Sequence, residues 1–296
     1  MNFRLLKDKL AANLFLLLTL LSLATVLVIA AGLYFKSLPI LQNSSLPGLL
    51  LSDKWKPFKA EFGFLPFIMG TLWVTIIAII IAFPLSLLAS IYLSEYAHPR
   101  IKQFIAPVID LLSAIPPVVY GVWGVLVIVP FIQDRLAPNF VEFSSGYSVL
   151  AGGIVLAIMI FPLIISILGE VFDTVPSELS DASLSLGATR WQTVKYVLLK
   201  KSLPGIIAAV VLAISRAFGE TIAVLMVCGN ITESPHSIFD SCYPLPALIA
   251  NNYGEMLSIP LYDSALMFAA LILFAIIFLF NAVSRIILHR LERRMS

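Results

Sequence analysis

The chain has 296 residues, 60% of them hydrophobic and only 12% charged, with a mean hydropathy of +0.99. Soluble proteins carry about 25% charged residues, so the solvent for most of this chain is lipid. A net charge of +2 gives no case for nucleic-acid binding, and two cysteines supply neither a disulfide framework nor a metal site.

A membrane helix needs about 20 mostly apolar residues. Six stretches meet that need: 12–34, 65–93, 104–131, 148–168, 204–228 and 264–288. Arg4, Lys7 and Lys9 precede the first. Its apolar run exceeds the roughly 7–15 residues of a secretory signal, so it reads as a retained anchor. The second would be about 44 Å long as one helix, against a hydrocarbon core of about 30 Å. It must tilt, kink near Pro84 or run past the membrane surface. The third holds Pro116-Pro117, followed by Gly121 and Gly124. Two prolines remove two amide donors, and a broken helix at membrane depth must be lined by protein or water. The break reads either as pore lining or as a packing kink. The chain then divides into an N-terminal part with the first span and external loop, 1–64, a transmembrane domain, 65–288, and a basic tail, 289–296.

Lysine and arginine set the orientation. With the N-terminus inside, the inner segments carry 13 of these residues and the outer loops 5, four of them Lys36, Lys54, Lys56 and Lys59. Both termini are expected in the cytoplasm. Cys228 falls in an apolar run and reads as a small filler; Cys242 falls in a polar loop and reads as a free thiol.

Charge inside a span costs several kcal/mol unless it is paired or hydrated, and so marks function. Arg216 and Glu220 lie in the middle of the fifth span, four residues apart and expected on one helix face, with Ser215 and Thr221 beside them. The planar, permanently charged guanidinium suits an oxyanion in a translocation path. The alternative is a static ion pair that locks two helices. Asp110, in the third span, is a further pathway candidate, or a carboxylate hydrated at the interface.

The inner loop from 169 to 203 is long and patterned. Gly187 is expected to end one helix, and Thr189 with Gln192 fits a capping box for the next. Leu179, Ala182 and Leu186 give the first helix an apolar side; Trp191, Val194, Tyr196, Val197 and Leu198 give one to the second. Such a pair either lies on the lipid surface or docks in a groove of a cytoplasmic partner. The chain has no Walker A loop, HExxH or GxSxG, and nothing else marks it as an enzyme.

Asp181-Ala182-Ser183 with Gly187 resembles the EAA–x3–G motif of permeases of bacterial ATP-binding-cassette (ABC) importers. The triplet departs from EAA, and Lys200 stands where many members have proline. Four further motifs, in order, are similar to the phosphate-specific importer: Gly70-Thr71, 91–97, 115–121 and 215–224. The continuation Ile222-Ala223-Val224, with Gly229-Asn230, resembles its PstC-type permease.

The resemblance implies an all-α membrane protein with six transmembrane helices and the type-1 ABC importer permease fold. It implies a half-pore for inorganic phosphate, with Arg216, Glu220, Ser215, Thr221 and Asp110 along the pathway. It also implies an ATPase-coupling loop holding Asp181, Ala182, Ser183, Gly187, Thr189, Arg190 and Trp191. No cofactor or metal is expected on this chain; ATP and Mg belong to a separate ATPase. The implied partners are a PstA-type permease, a PstB-type ATPase dimer inside and a PstS-type phosphate-binding protein outside, in a bacterial cytoplasmic membrane. An importer of sulfate or molybdate is the nearest alternative. A proton- or sodium-coupled transporter using Glu220 or Asp110 is more distant, and a membrane scaffold is the third.

Overall fold

A computed structural model describes residues 2–255 and 259–295, with side chains for 7–255 and 259–290. Helix α1 (Asn2–Asn43) is followed by a short α2 (Leu46–Leu51) and a hairpin of β1 (Trp55–Lys56) and β2 (Glu61–Phe62). Then come α3 (Leu65–Ile91), α4 (Pro99–Ala114) and α5 (Pro117–Asn139), the last with two π-helical turns. Helices α6 (Val149–Asp173), α7 (Ser177–Ser185), α8 (Arg190–Lys201) and α9 (Leu203–Phe218) follow. The chain continues through α10 (Ile222–Val227) and α11 (Leu245–Asn252) to α12 (Tyr262–Met295).

Among the described residues five helices are long and apolar enough to cross a membrane: α1, α3, α5, α6 and α12. The sixth crossing centres on α9, which meets α8 at a 68° bend across Ser202. At about 24 Å, α9 is shorter than a hydrocarbon core of about 30 Å, and α10 follows it beyond a break at 219–221. Helix α1 runs well past the expected 12–34, through Pro39 to Asn43. Helix α3 passes through Pro84 without a break and ends in a π-helical turn, Tyr92–Tyr96.

The expected third span, 104–131, is not one helix. Ile115 and Pro116 are extended, because proline disfavours a helical conformation in the residue before it. The crossing is therefore 117–139, and α4 is a separate helix with apolar and polar sides. Ile109 is its one buried residue; it faces the ends of α3 and α6, where Lys102 Nζ lies 3.3 Å from Asp173 Oδ1.

The core rests on α3 and α6, which run parallel in close contact. A side chain at Gly152 would meet Cys228 and Val74, and one at Gly153 would meet Ile77, so only hydrogen allows this approach. Van der Waals packing must hold such a pair, since lipid removes the hydrophobic drive between helices. Ser86 and Ser90 donate across the contact to the Phe161 and Ile165 carbonyls, at 3.2 and 3.4 Å. A second, aromatic cluster fixes the opposite end of the bundle from α7 and α8. The Trp55 ring sits edge-on to Phe62, Phe64, Phe67 and Tyr262, with centroids 4.8–6.2 Å apart.

Gly153→Leu should destabilise the protein by about 1–3 kcal/mol through overpacking, read as a lower unfolding midpoint in detergent. Ile77→Ala in the same chain should recover part of that loss. An unchanged midpoint for Gly153→Leu overturns the close α3–α6 approach.

Candidate functional site

Two helix breaks meet in the membrane region. The first, at Ile115-Pro116, separates α4 from α5. The Tyr120 hydroxyl reaches back across it and donates to the Leu112 carbonyl at 2.8 Å. The second, at 219–221, separates α9 from α10. Helices α5 and α10 are in close contact: a side chain at Gly121 would meet Met226 and come within 3.2 Å of the Ala223 backbone. Gly121 and Gly124 thus serve close packing rather than the break itself. Gly124 faces Val155 and Val227 in the same way.

Arg216 and Glu220 stand on opposite sides of the second break. Gly219 and Glu220 donate their amides to the Arg216 and Ala217 carbonyls, closing the last turn of α9 at Phe218. The shared helix face expected for the two charges therefore does not exist. Glu220 instead turns to α10, where its Oε1 accepts the Ala223 amide at 3.3 Å. A carboxylate at a helix start complements the unpaired amides and the dipole there. Glu220 also lines a small crevice with Thr71, Thr75, Phe218 and Pro246.

Arg216 lies about 20 Å along α9 from its start. Its face of the helix, with Ala208 and Leu212, is exposed, whereas Ile206, Ala209, Ala213 and Ala217 face the core. It stands two residues before the last residue of α9, just ahead of the second break. Among the described residues it has no ion pair. A lone guanidinium facing lipid at the bilayer centre costs about 2.5–3.5 kcal/mol. That cost makes protein or water the fitting environment for this face.

The two hydroxyls have structural bonds. The Ser215 proton is shared between the Val211 carbonyl at 2.9 Å and Asn281 Oδ1 at 3.2 Å, tying α9 to α12. Thr221 Oγ1 donates to the Gly219 carbonyl at 3.1 Å, inside the break. Asp110 is elsewhere. It is exposed on α4 and lines a separate cavity of about 200 Å³ with Lys102, Ser166, Glu170 and Asp173. Tyr120 and Asn281 join the site although sequence reasoning singled out neither. Asn281, a lone amide in an apolar span, was the visible signal for one of them.

The connecting segment forms as its pattern predicts. Helix α7 ends at Gly187, whose φ of +84° needs glycine. Thr189 Oγ1 accepts the Gln192 amide at 3.2 Å, and Gln192 Oε1 accepts the Thr189 amide at 2.8 Å, a complete capping box opening α8 at Arg190. Ser183 Oγ and Thr193 Oγ1, 2.9 Å apart, join the two helices. Asp181, Ala182 and Arg190 are exposed, and the Asp181 carbonyl accepts the Ser185 hydroxyl at 2.9 Å. Leu179, Leu184, Leu186, Trp191 and Tyr196 are exposed too, Leu186 at 90%, so this surface is uncovered in the single chain.

Residues 82–296 match the family described as binding-protein-dependent transport system inner membrane component. A phosphate transport system permease protein PstC of Mesorhizobium japonicum is 37% identical over 259 residues, 83% of this chain and 79% of that protein. A probable ABC transporter permease protein YqgH of Bacillus subtilis is 41% identical over 238 residues, 80% and 75% of the two chains. A probable PstC of Methanocaldococcus jannaschii is 33% identical over 285 residues, 91% and 90%. Among solved structures, a bacterial ABC transporter involved in alginate import aligns with a TM-score of 0.55 at 16% identity, over 91% of this chain and 95% of the other. The MetNI methionine ABC transporter, in an inward-facing conformation, aligns at 0.54 and 19%, over 75% and 91%. These two likenesses are of fold, that of the type-1 ABC importer permeases. The chain belongs to the binding-protein-dependent transport system inner membrane components, the multi-pass permease subunits of ABC importers.

Proposed function

We propose that this permease forms half of a pathway for inorganic phosphate, with Arg216 as the anion contact. The observation that carries the reading is the lone guanidinium on the exposed side of α9, just before a helix break and with Glu220 turned to α10. The fork of a guanidinium matches phosphate oxygens in pairs, and its charge cannot be titrated away. Relatives named as phosphate permeases, at 33–37% identity, support the choice of anion.

The open face of α9 then belongs against a second, PstA-type permease, which completes the pathway. The uncovered apolar surface of α7 and α8 belongs in a groove of a PstB-type ATPase, where ATP and Mg bind. A PstS-type phosphate-binding protein delivers the ion from outside. The lysine and arginine bias puts both termini, α7 and α8 in the cytoplasm. Ser215 and Thr221 act here as positioning residues, since their protons are already donated to protein oxygens. Asp110 lines the inner cavity, away from the anion contact.

Arg216→Lys keeps the charge and loses the fork, and should lower phosphate uptake by the reconstituted complex roughly ten- to hundredfold. Arg216→Gln should abolish uptake in an assembled complex, and adding Glu220→Gln should not restore it. Recovery to near the unsubstituted rate in the double variant would make Arg216 a structural partner of Glu220 and end the anion role. Sulfate and molybdate should compete poorly; equal competition points to a different oxyanion.

The connecting segment has its own test. Gly187→Pro replaces a φ of +84° by one fixed near −65°, and Ala182→Asp charges the α7 surface. Both complexes should assemble yet lose substrate-stimulated ATP hydrolysis and uptake. Normal stimulation in both would remove α7 and α8 as the docking element.

A further inference from the structure

The chain has two cysteines, 228 and 242, and the fold brings them together. The Cys242 amide donates to the Cys228 carbonyl at 2.9 Å, and the Asn230 amide returns to the Cys242 carbonyl at 3.1 Å. Gly229 and Asn230, both at positive φ (86° and 55°), make the sharp turn that this bridge requires. Cys242 is a free thiol, as expected, but it is fully buried although it lies in a polar loop, because loop 229–242 folds back over the ends of α10 and α6. The Asp240 and Ile238 carbonyls accept the first amides of α6, from Val149 and Leu150, at 2.9 and 2.8 Å. The two thiols are free and lie inside this packing, Cys228 against Gly152 and Cys242 against Gly70.

We infer that Cys228 and Cys242 are a disulfide site that fastens loop 229–242 over the outer end of the broken span. Residues joined by a direct backbone hydrogen bond have Cα atoms at about the 4.4–6.8 Å separation a disulfide needs. The inference rests on the orientation given under Proposed function, which puts the pair on the oxidising side of the membrane. The oxidant is an extracytoplasmic protein disulfide. One cysteine thiolate attacks it and displaces one of its sulfurs, forming a mixed disulfide. The second cysteine thiolate then attacks that bond, closing Cys228–Cys242 and releasing the other sulfur. Two protons leave the cysteines, and their two electrons reduce the oxidant to a dithiol. Both cysteines are buried once folded, so exchange takes place before the loop closes. The link closes a ring around the turn and restricts the unfolded chain.

The test is made on the intact importer. Cells are treated with permeant N-ethylmaleimide before lysis, and the complex is denatured without reductant, labelled with a heavier maleimide and digested with chymotrypsin. A peptide pair joined through Cys228 and Cys242, lighter by about 2 Da than the free thiols, is expected. Reductant should lower the unfolding midpoint of this protein and not that of Cys228→Ser/Cys242→Ser. Separate peptides, each carrying a maleimide, overturn the inference. Orientation is read independently by Phe143→Cys in the double-serine background, since Phe143 is 86% exposed. Labelling by an impermeant reagent from outside, together with two maleimide-carrying cysteines in the natural chain, defeats the disulfide alone. Labelling only after permeabilisation defeats the orientation and the disulfide with it.

Discussion

Hydrocarbon offers no partner to a backbone amide or carbonyl, and at four irregular points of the described residues a side chain answers that demand. At the first break Tyr120 donates to the Leu112 carbonyl. At the second, Glu220 accepts the Ala223 amide and Thr221 donates to the Gly219 carbonyl. At the end of α10 the Asn230 side chain donates to the Leu225 carbonyl at 2.8 Å, and at the start of α11 Thr71 accepts the Leu245 amide at 2.8 Å. These residues are polar because the backbone beside them is irregular. The irregular backbone can persist at that depth because they are there.

The same demand sorts what was legible in the sequence from what was not. Local chemistry was legible: Gly187 at positive φ and the Thr189–Gln192 capping box depend only on neighbours in the chain. The apolar spans were legible by length, since 65–93 and 148–168 fall close to α3 and α6. The exact position of a break was not. In 104–131 the prolines were visible, yet hydropathy runs across them and hides the change from α4 to α5. In 204–228 no proline marks the break at all; α9 ends at Phe218, and Glu220 beyond it bonds to the start of α10. A spacing of four implies a shared face only within one continuous helix, so the Arg216–Glu220 pairing was out of reach of any local rule. Cys228 and Cys242 fail for another reason: their meeting depends on a turn of two positive-φ residues and a loop that packs on α6.

Burial adds a third dimension to this division. The α3–α6 contact and the Trp55 aromatic cluster are closed within the chain. Residues 7–29 of α1, the Arg216 face of α9, and Leu186 with Trp191 on α7 and α8 are not. Lipid can cover α1, whose apolar surface it matches. It cannot cover a guanidinium cheaply, and on the proposed reading the surface of the connecting segment is covered by the ATPase. Two of the three open surfaces thus call for protein or water, and they lie at the two ends of one continuous path, α7–α8–α9.

On the proposed reading, that path suggests how an inner partner acts on Arg216 as the anion contact. Helix α8 meets α9 at 68° with only Ser202 between them. A helix of about 24 Å is rigid over its length, so a tilt of α8 imposed from the cytoplasm is carried to the far end of α9, where Arg216 sits. The break at 219–221 comes immediately afterwards. Helix α10 is held by α5 and by Glu220 and need not follow. On the proposed reading, this is why the charge sits before the break and its potential counter-ion after it. A carboxylate on the moving helix would travel with Arg216 and keep it neutralised in every state. A carboxylate held by α10 leaves the guanidinium open to an oxyanion throughout, and lets motion of α9 change which side of the membrane that anion sees.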